Sequence, residues 1–396
     1  MRATFRNGRL YRAGRFQTAD LEVVDGRISA ITPPRPPGAA GRGGQEVDLG
    51  GAFVMPGLID VHGHCVLSPD AARAEPLSAR VLKGVRNART QLHAGVTSVR
   101  DVGGPGRIAV ELKEAICAGI VAGPRVATSA SFICAAGGHV SYWGREATGE
   151  ADVRRAVREQ RAAGADFIKI MASGGVADEG EDPEAPQFEP EELQALVSEA
   201  ASDGTYVAAH AHPAAAIRLC LEAGVRTIEH ASFIDERGIE LAVERGAYIV
   251  PTFIVYDVIA RSETLGRVQR DLAARVLEKK AEAFLAAVAA GVRWGAGTDA
   301  GTYMPQGQLW QELRFIEGLG VPTSSILAAA TQTNAEIMQT DEIGRLEPGA
   351  WADLLVLAAD PTADLTTLRT PTLVVKGGVV VDRDQNPAPS PALNPA

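Results

Sequence analysis

From Val54 onward the chain alternates short apolar stretches with segments of helical periodicity, and this alternation restricts the fold more than any other feature of its 396 residues. The apolar stretches end near His62, Asp101, Ser129, Lys169, His210, His230, Thr252 and Asp299. Between them lie helical candidates at 77–92, 151–163, 190–201, 213–222 and 236–244. Pro190 and Pro213 suit first helical positions, and Gly164 and Gly224 suit C-terminal caps. Strand-helix units in series imply a parallel sheet covered on both faces, most economically closed as a (β/α)₈ barrel. A longer helical stretch, 261–290, precedes the last strand and has room for two helices.

Both ends of the chain read differently. Asn7-Gly8, Asp25-Gly26 and Gly377-Gly378 are favoured hairpin pairs flanked by strand-type residues, as in LEVVDGRISAI and LVVKGGVVV. The expected architecture is therefore α/β: a TIM barrel over 54–342 and a small β-sandwich domain assembled from 1–53 and 343–384. A loop rich in Pro, Gly and Arg (33–44) is expected to be exposed, and a proline-rich tail (385–396) to be disordered.

Composition narrows the partners. Net charge is -10 with no basic block, which argues against nucleic acid. No apolar run is long enough to span a bilayer, and no signal-like core follows the amino-terminal arginines, so a cytoplasmic protein without membrane partners is expected. Cys65, Cys117, Cys134 and Cys220 lack CxxC spacing, which suggests buried free thiols, with Cys65 close to any site at His64.

In GLIDVHGH, His62 and His64 share one face of a strand end, an arrangement suited to a divalent metal although H-x-H pairs also occur on ordinary surfaces. A barrel's active site lies where its strands end. His62, His64, Lys169, His210, His230 and Asp299 stand at such ends and would converge there. Lys169 sits in the apolar strand FIKIM, where a charged ammonium is costly to bury. It either reaches the mouth or pairs with Asp299, or is neutral enough to react with carbon dioxide and form a bridging carbamate.

Together with HxH, the motifs TSVRDVGG, IKIMASGGV, AAHAHPAAAI, IEHASFID and GAGTDAG resemble the amidohydrolase superfamily, specifically its imidazolonepropionase-like branch, which includes Xaa-Pro dipeptidases and N-acyl amino acid carboxypeptidases. ADLLVLAADP and the late VVKGG extend the resemblance over nearly the whole chain. Pro213, where relatives often carry glycine, departs from the pattern without removing a ligand.

The resemblance implies two divalent metal ions, with zinc favoured over manganese, cobalt and iron. His62, His64 and Asp299 would hold one ion, His210 and His230 the other, and carboxylated Lys169 would bridge them. The implied chemistry is hydrolysis by a metal-bridging hydroxide, with Asp299 as catalytic proton shuttle. For substrate binding, the loop GGHVSYWG points to His139, the stretch after PTF to Tyr256, and HAHP to His212. His93 reads as structural, and Arg100 and Asp101 as residues that reach the mouth or form an ion pair. The acidic segment 178–189 reads as a solvated lid or crossover.

The expected substrate is small: an Xaa-Pro-like dipeptide or an N-acyl amino acid. Ring opening of a cyclic amide and carbamate or ester hydrolysis are the enzymatic alternatives, and a non-catalytic binding or assembly barrel is the alternative of another class. Relatives are frequently homo-oligomeric.

Overall fold

The computed structural model describes residues 1–36, 43–70, 75–176 and 185–382. Residues 37–42 of the Pro/Gly/Arg-rich loop, 178–184 of the acidic segment and the whole of 385–396 lie outside the described residues.

The fold is α/β, of the TIM-barrel kind. Parallel strands β1 (Leu58–Gly63), β2 (Val96–Asp101) and β3 (Arg125–Thr128) pair in series. A second parallel series runs β4 (Ile168–Met171), β5 (Val207–Ala211), β6 (Thr227–His230), β7 (Tyr248–Val250) and β8 (Arg293–Trp294). Hydrogen bonds close both seams. Asp166 N–H donates to the Thr128 carbonyl at 2.7 Å, and Ile133–Ala135, beyond β3, pairs with β4. On the other side Val61 N–H donates to Ala296 and Thr298 N–H to His62.

Helices fall where their punctuation puts them. Pro190–Ser202 starts on a proline behind a Glu189/Glu192 capping box. Ala214–Ala223 ends at Gly224, whose φ of 95° a Cβ would disfavour. Pro213 itself is the N-cap of that helix and not its first residue. The stretch 261–290 holds one helix, Arg267–Ala289, and the second helix of this region lies before it at Phe253–Ala260. IVYDVIA, apolar almost throughout, has no amphipathic period from which to read a helix, because the segment is buried on nearly every side.

Strands from both chain ends form one sheet, in the order Val379–Val380, Leu373–Lys376, Leu354–Leu357, Phe53–Pro56, Arg2–Arg12, Arg15–Val24 and Arg27–Thr32, with Gln45–Asp48 pairing to Arg2–Arg12. Asp25-Gly26 and Gly377-Gly378 are hairpin turns with positive φ at both residues. Asn7-Gly8 is instead a bulge inside Arg2–Arg12, and the chain reverses at Ala13-Gly14. The sheet has its own apolar core, in which Phe5, Leu21, Val54, Leu354 and Val375 come from both termini.

Trp351 joins sheet to barrel. Arg27 and Arg125 stack against its ring at 4.2 and 3.9 Å, while Arg125, from β3, forms a forked bond to Asp353 at 2.8 and 3.1 Å. Three cysteines are buried as expected, but Cys117, at the end of helix Ile108–Cys117, is exposed. Replacing Leu354 by Ala, in a position with no solvent exposure, is expected to cost about 3 kcal/mol. Urea unfolding followed by circular dichroism measures the loss.

Candidate metal centre and substrate cavity

The strand ends carry the polar residues to one place. His62, His230 and Asp299 offer ligand atoms that all lie within 4.8 Å of one another, a group able to hold a metal ion. His64 Nε2 approaches Asp299 Oδ1 at 3.2 Å, and the His210 ring packs 4.6 Å from that of His230. Lys169 lines the same cavity. The three residues within one ligand sphere thus come from β1, β6 and the segment after β8, and cut across the expected division into two sets.

Each imidazole is oriented by a partner on its other nitrogen. His62 Nδ1 bonds Glu229 at 2.7 Å, His64 Nδ1 donates to the Gly103 carbonyl at 2.6 Å, and His230 Nδ1 meets Thr252 Oγ1 at 2.7 Å. In each case Nε2 remains available to a metal. His210 is reversed: its Nε2 donates to the Gly174 carbonyl at 3.2 Å, leaving Nδ1 available. A carbonyl can only accept, so the facing nitrogen must carry the proton. His212 differs, because Nδ1 bonds Ser232 Oγ at 2.8 Å and Nε2 faces the Tyr256 hydroxyl at 3.4 Å.

Burial drives His210, His212 and His230 well below the usual imidazole range, so they are neutral, the form that ligates. Burial would raise Asp299, but His62 and His64 hold its carboxyl far below the usual range. The Lys169 ammonium is pulled down to about 8 by burial, against the opposing charges of Glu229 and Asp299.

Backbone strain is concentrated here. His230, Asp299 and Thr252 have φ of 70°, 58° and 52°, and for β-branched Thr252 this conformation is especially costly. Gly297 admits the HxH strand: a Cβ there would come within 2.6 Å of His62 Cβ. Gly175 does the same for His139, whose ring lies where its Cβ would be.

Glu229 was not among the residues singled out from sequence. It is fully buried and joins His62 to Arg100, whose guanidinium donates to it at 2.7 Å. Burial would raise the Glu229 carboxyl, but Arg100 and His62 keep it below the carboxylate range. The signal was present in TIEHA, where a charged residue interrupts an apolar strand just as Lys169 does. Arg100 is thus an ion-pair residue, with Glu229 as its partner. Asp101 instead accepts from Cys65 N–H, Gly103 N–H and Thr128 Oγ1.

The centre lies in a cavity open to solvent. His139, Tyr256 and His212 all line it. Phe132, Val140, Trp143 and Met171 form one apolar wall, and Val176, Val255, Tyr256 and Tyr303 the other. The His139 ring lies 4.5 Å from that of His210, tilted by 32°, and the His139 backbone N–H donates to Gln187 Oε1 at 3.0 Å. Burial raises the Tyr256 phenol well above its ordinary range, so it stays protonated and able to donate.

Histidines and a carboxylate gathered at the strand ends of a barrel form an arrangement suited to a metal ion. The family model for the amidohydrolase family matches residues 53–381, and the chain belongs to that family. Ochratoxinase from Aspergillus niger is 33% identical over 368 residues, covering 82% of this chain and 75% of its own. Imidazolonepropionase from Salinispora arenicola is 25% identical over 372 residues, covering 87% and 86%. A crystal structure of a Xaa-Pro dipeptidase with methionine in its active site superposes with a TM-score of 0.89 at 29% identity, covering 96% of this chain and 100% of that one. The chain is an enzyme, a hydrolase acting on amide or peptide C–N bonds.

Glu229→Gln keeps the size of the side chain but removes the charge between His62 and Arg100. Metal retention is expected to fall about 10–100-fold, measured by metal analysis after dialysis against a graded chelator.

Proposed function

We propose that the protein is a dinuclear metal-dependent amidohydrolase that cleaves the amide of a small substrate bearing a free carboxylate, an N-acyl amino acid or an Xaa-Pro-like dipeptide. The observation that carries this reading is the juxtaposition, in one cavity, of the His62, His230 and Asp299 group with apolar walls and the hydrogen-bonding side chains of His139 and Tyr256. The donor set fits divalent metal: four imidazoles, each fixed by a bond on its other nitrogen and two of them, His210 and His230, kept neutral by burial, together with an ionised carboxylate.

His62, His64 and Asp299 would hold one ion and His210 and His230 the other, with zinc the favoured metal. Lys169 would bridge them as a carbamate, a role supported by the effect of burial on its amine. When bound, such ions supply Lewis acidity toward the amide carbonyl and a nucleophile at neutral pH.

The protein's own groups carry the rest. Asp299, held ionised by His62 and His64, accepts a proton from the attacking water and returns it to the departing nitrogen, acting as base and then acid. His139 and Tyr256 hold the substrate carboxylate or the carbonyl oxygen as it gains charge. His212, hydrogen-bonded to Ser232, presents Nε2 to the Tyr256 hydroxyl and steadies it. The apolar walls receive the groups on either side of the scissile bond and exclude water from it.

The terminal sheet with its separate core supports reading 1–53 and 343–384 as a composite β-sandwich domain beside a catalytic barrel at 54–342. No described helix is long and apolar enough to cross a membrane. We assign the protein to the cytoplasm and expect a homo-oligomer.

The deciding experiment is a screen of N-acyl amino acids, dipeptides including Xaa-Pro, cyclic amides, carbamates and esters with zinc- and manganese-reconstituted enzyme. Preferred cleavage of the first two classes supports the reading, and activity confined to cyclic amides overturns the substrate assignment. Absence of stoichiometric metal, with no activity after reconstitution, would favour a non-catalytic binding protein.

Asp299→Asn, assayed at matched metal content, is expected to lose about 10²–10⁴-fold in kcat. His139→Ala is expected to raise KM for carboxylate substrates about 10-fold. Gly175→Ala, which pushes against the His139 ring, should shift KM in the same direction in steady-state assays.

A further inference from the structure

Behind the cavity wall lies a cation that the proposed chemistry does not use. Lys280, on helix Arg267–Ala289, is 1% exposed, and its Nζ has no hydrogen-bond partner among the described residues. It sits 4.2 Å from the centroid of the Tyr256 ring, on the helix Phe253–Ala260. An unpaired ammonium in such surroundings is costly and calls for an explanation.

Glu312, also fully buried, opposes it electrostatically. Its carboxylate oxygens are nevertheless committed elsewhere. They accept from Phe253 N–H at 2.9 Å and Ile254 N–H at 2.7 Å, capping a helix whose own Thr252 makes no side-chain cap. Burial pulls the Lys280 ammonium down and pushes the Glu312 carboxyl up, and the opposite charge of each counters that effect on the other. Protonated Lys280 faces the Tyr256 ring with no hydrogen-bonded counterion among the described residues.

The cavity has a matching deficit. Among its described lining residues there is no arginine, and Lys169 is the one lysine. With Lys169 committed to the metal centre, a substrate carboxylate inside it would meet no lysine or arginine side chain among the described lining residues.

We propose that Lys280 is the counter-charge that selects an anionic substrate, acting as a positioning residue through Tyr256. The inference rests on the reading that Tyr256 faces a substrate carboxylate. A cation against the ring draws electron density from the phenol and strengthens its O–H as a donor. In a water-poor wall its field also reaches the carboxylate without direct contact.

The test compares kcat/KM for the best N-acyl amino acid from the screen with that for the corresponding N-acyl amino alcohol, which has the same shape but no charge. In Lys280→Met this carboxylate preference is expected to fall about 10-fold, mainly through KM, and Lys280→Arg is expected to restore it. A Met variant in which both substrates decline together, leaving the preference unchanged, reveals a merely structural lysine and overturns the inference. Should Lys280→Met fail to fold, Lys280→Gln, which keeps a polar end without the charge, carries the test. Its carboxylate preference is expected to fall in the same way, and an unchanged preference overturns the inference. Wild-type enzyme that cleaves the acid and the alcohol equally overturns the carboxylate-substrate reading itself, a failure distinct from loss of the Lys280 effect alone.

Discussion

A guanidinium sealed in the barrel centre anchors the chemistry at its mouth. Arg100 has no solvent exposure and donates to the Val61 carbonyl, Thr227 Oγ1 and Glu229. Through Glu229 it reaches His62, so one chain of charge-assisted bonds links β2, β6 and β1. Desolvating an ion pair this deeply is expensive, and losing either partner would cost about 3–5 kcal/mol. What the pair secures is orientation: His62 is held from behind, and the nitrogen facing the cavity stays free.

The same logic recurs around the site. A carbonyl or hydroxyl from a neighbouring segment fixes each histidine: Gly103 for His64, Gly174 for His210 and Thr252 for His230. The strained backbone at His230, Thr252 and Asp299 persists because the surrounding bonds over-determine it. Asp60 contributes from below by accepting from His62 N–H, Thr298 N–H and Thr298 Oγ1. Burial raises its carboxyl to about 6, while those bonds act in the opposite direction. Ligand geometry is thus a property of the barrel's polar interior as much as of the ligands.

Tyr256 ties this centre to the outer shell. Its hydroxyl meets His212, its ring lines the cavity and meets Lys280, and Glu312 caps its helix. Groups from two other helices and a strand end therefore bear on Tyr256, so substrate preference can depend on residues that never touch substrate.

Regular alternation and residues at strand ends made the barrel, the ring of histidines, Lys169 and Asp299 legible in the sequence, since period and chain position are local properties. Asp25-Gly26 and Gly377-Gly378 were legible for the same reason, because turn chemistry is encoded in two residues. Asn7-Gly8 misled because a residue that tolerates positive φ serves a bulge as well as a hairpin, and only the neighbouring strand distinguishes them; here Asn7 has positive φ and Gly8 does not. Helix Phe253–Ala260 escaped because burial on nearly every side erases periodicity. Glu229 and Lys280 acquire meaning only from partners distant in the chain, His62 and Tyr256. The sequence by itself thus determined the architecture and the inventory of candidate ligands. Tertiary structure alone decided which nitrogen each histidine exposes, where Arg100 finds its counter-charge and what stands behind Tyr256, because these depend on distances between strands and helices that no local pattern records.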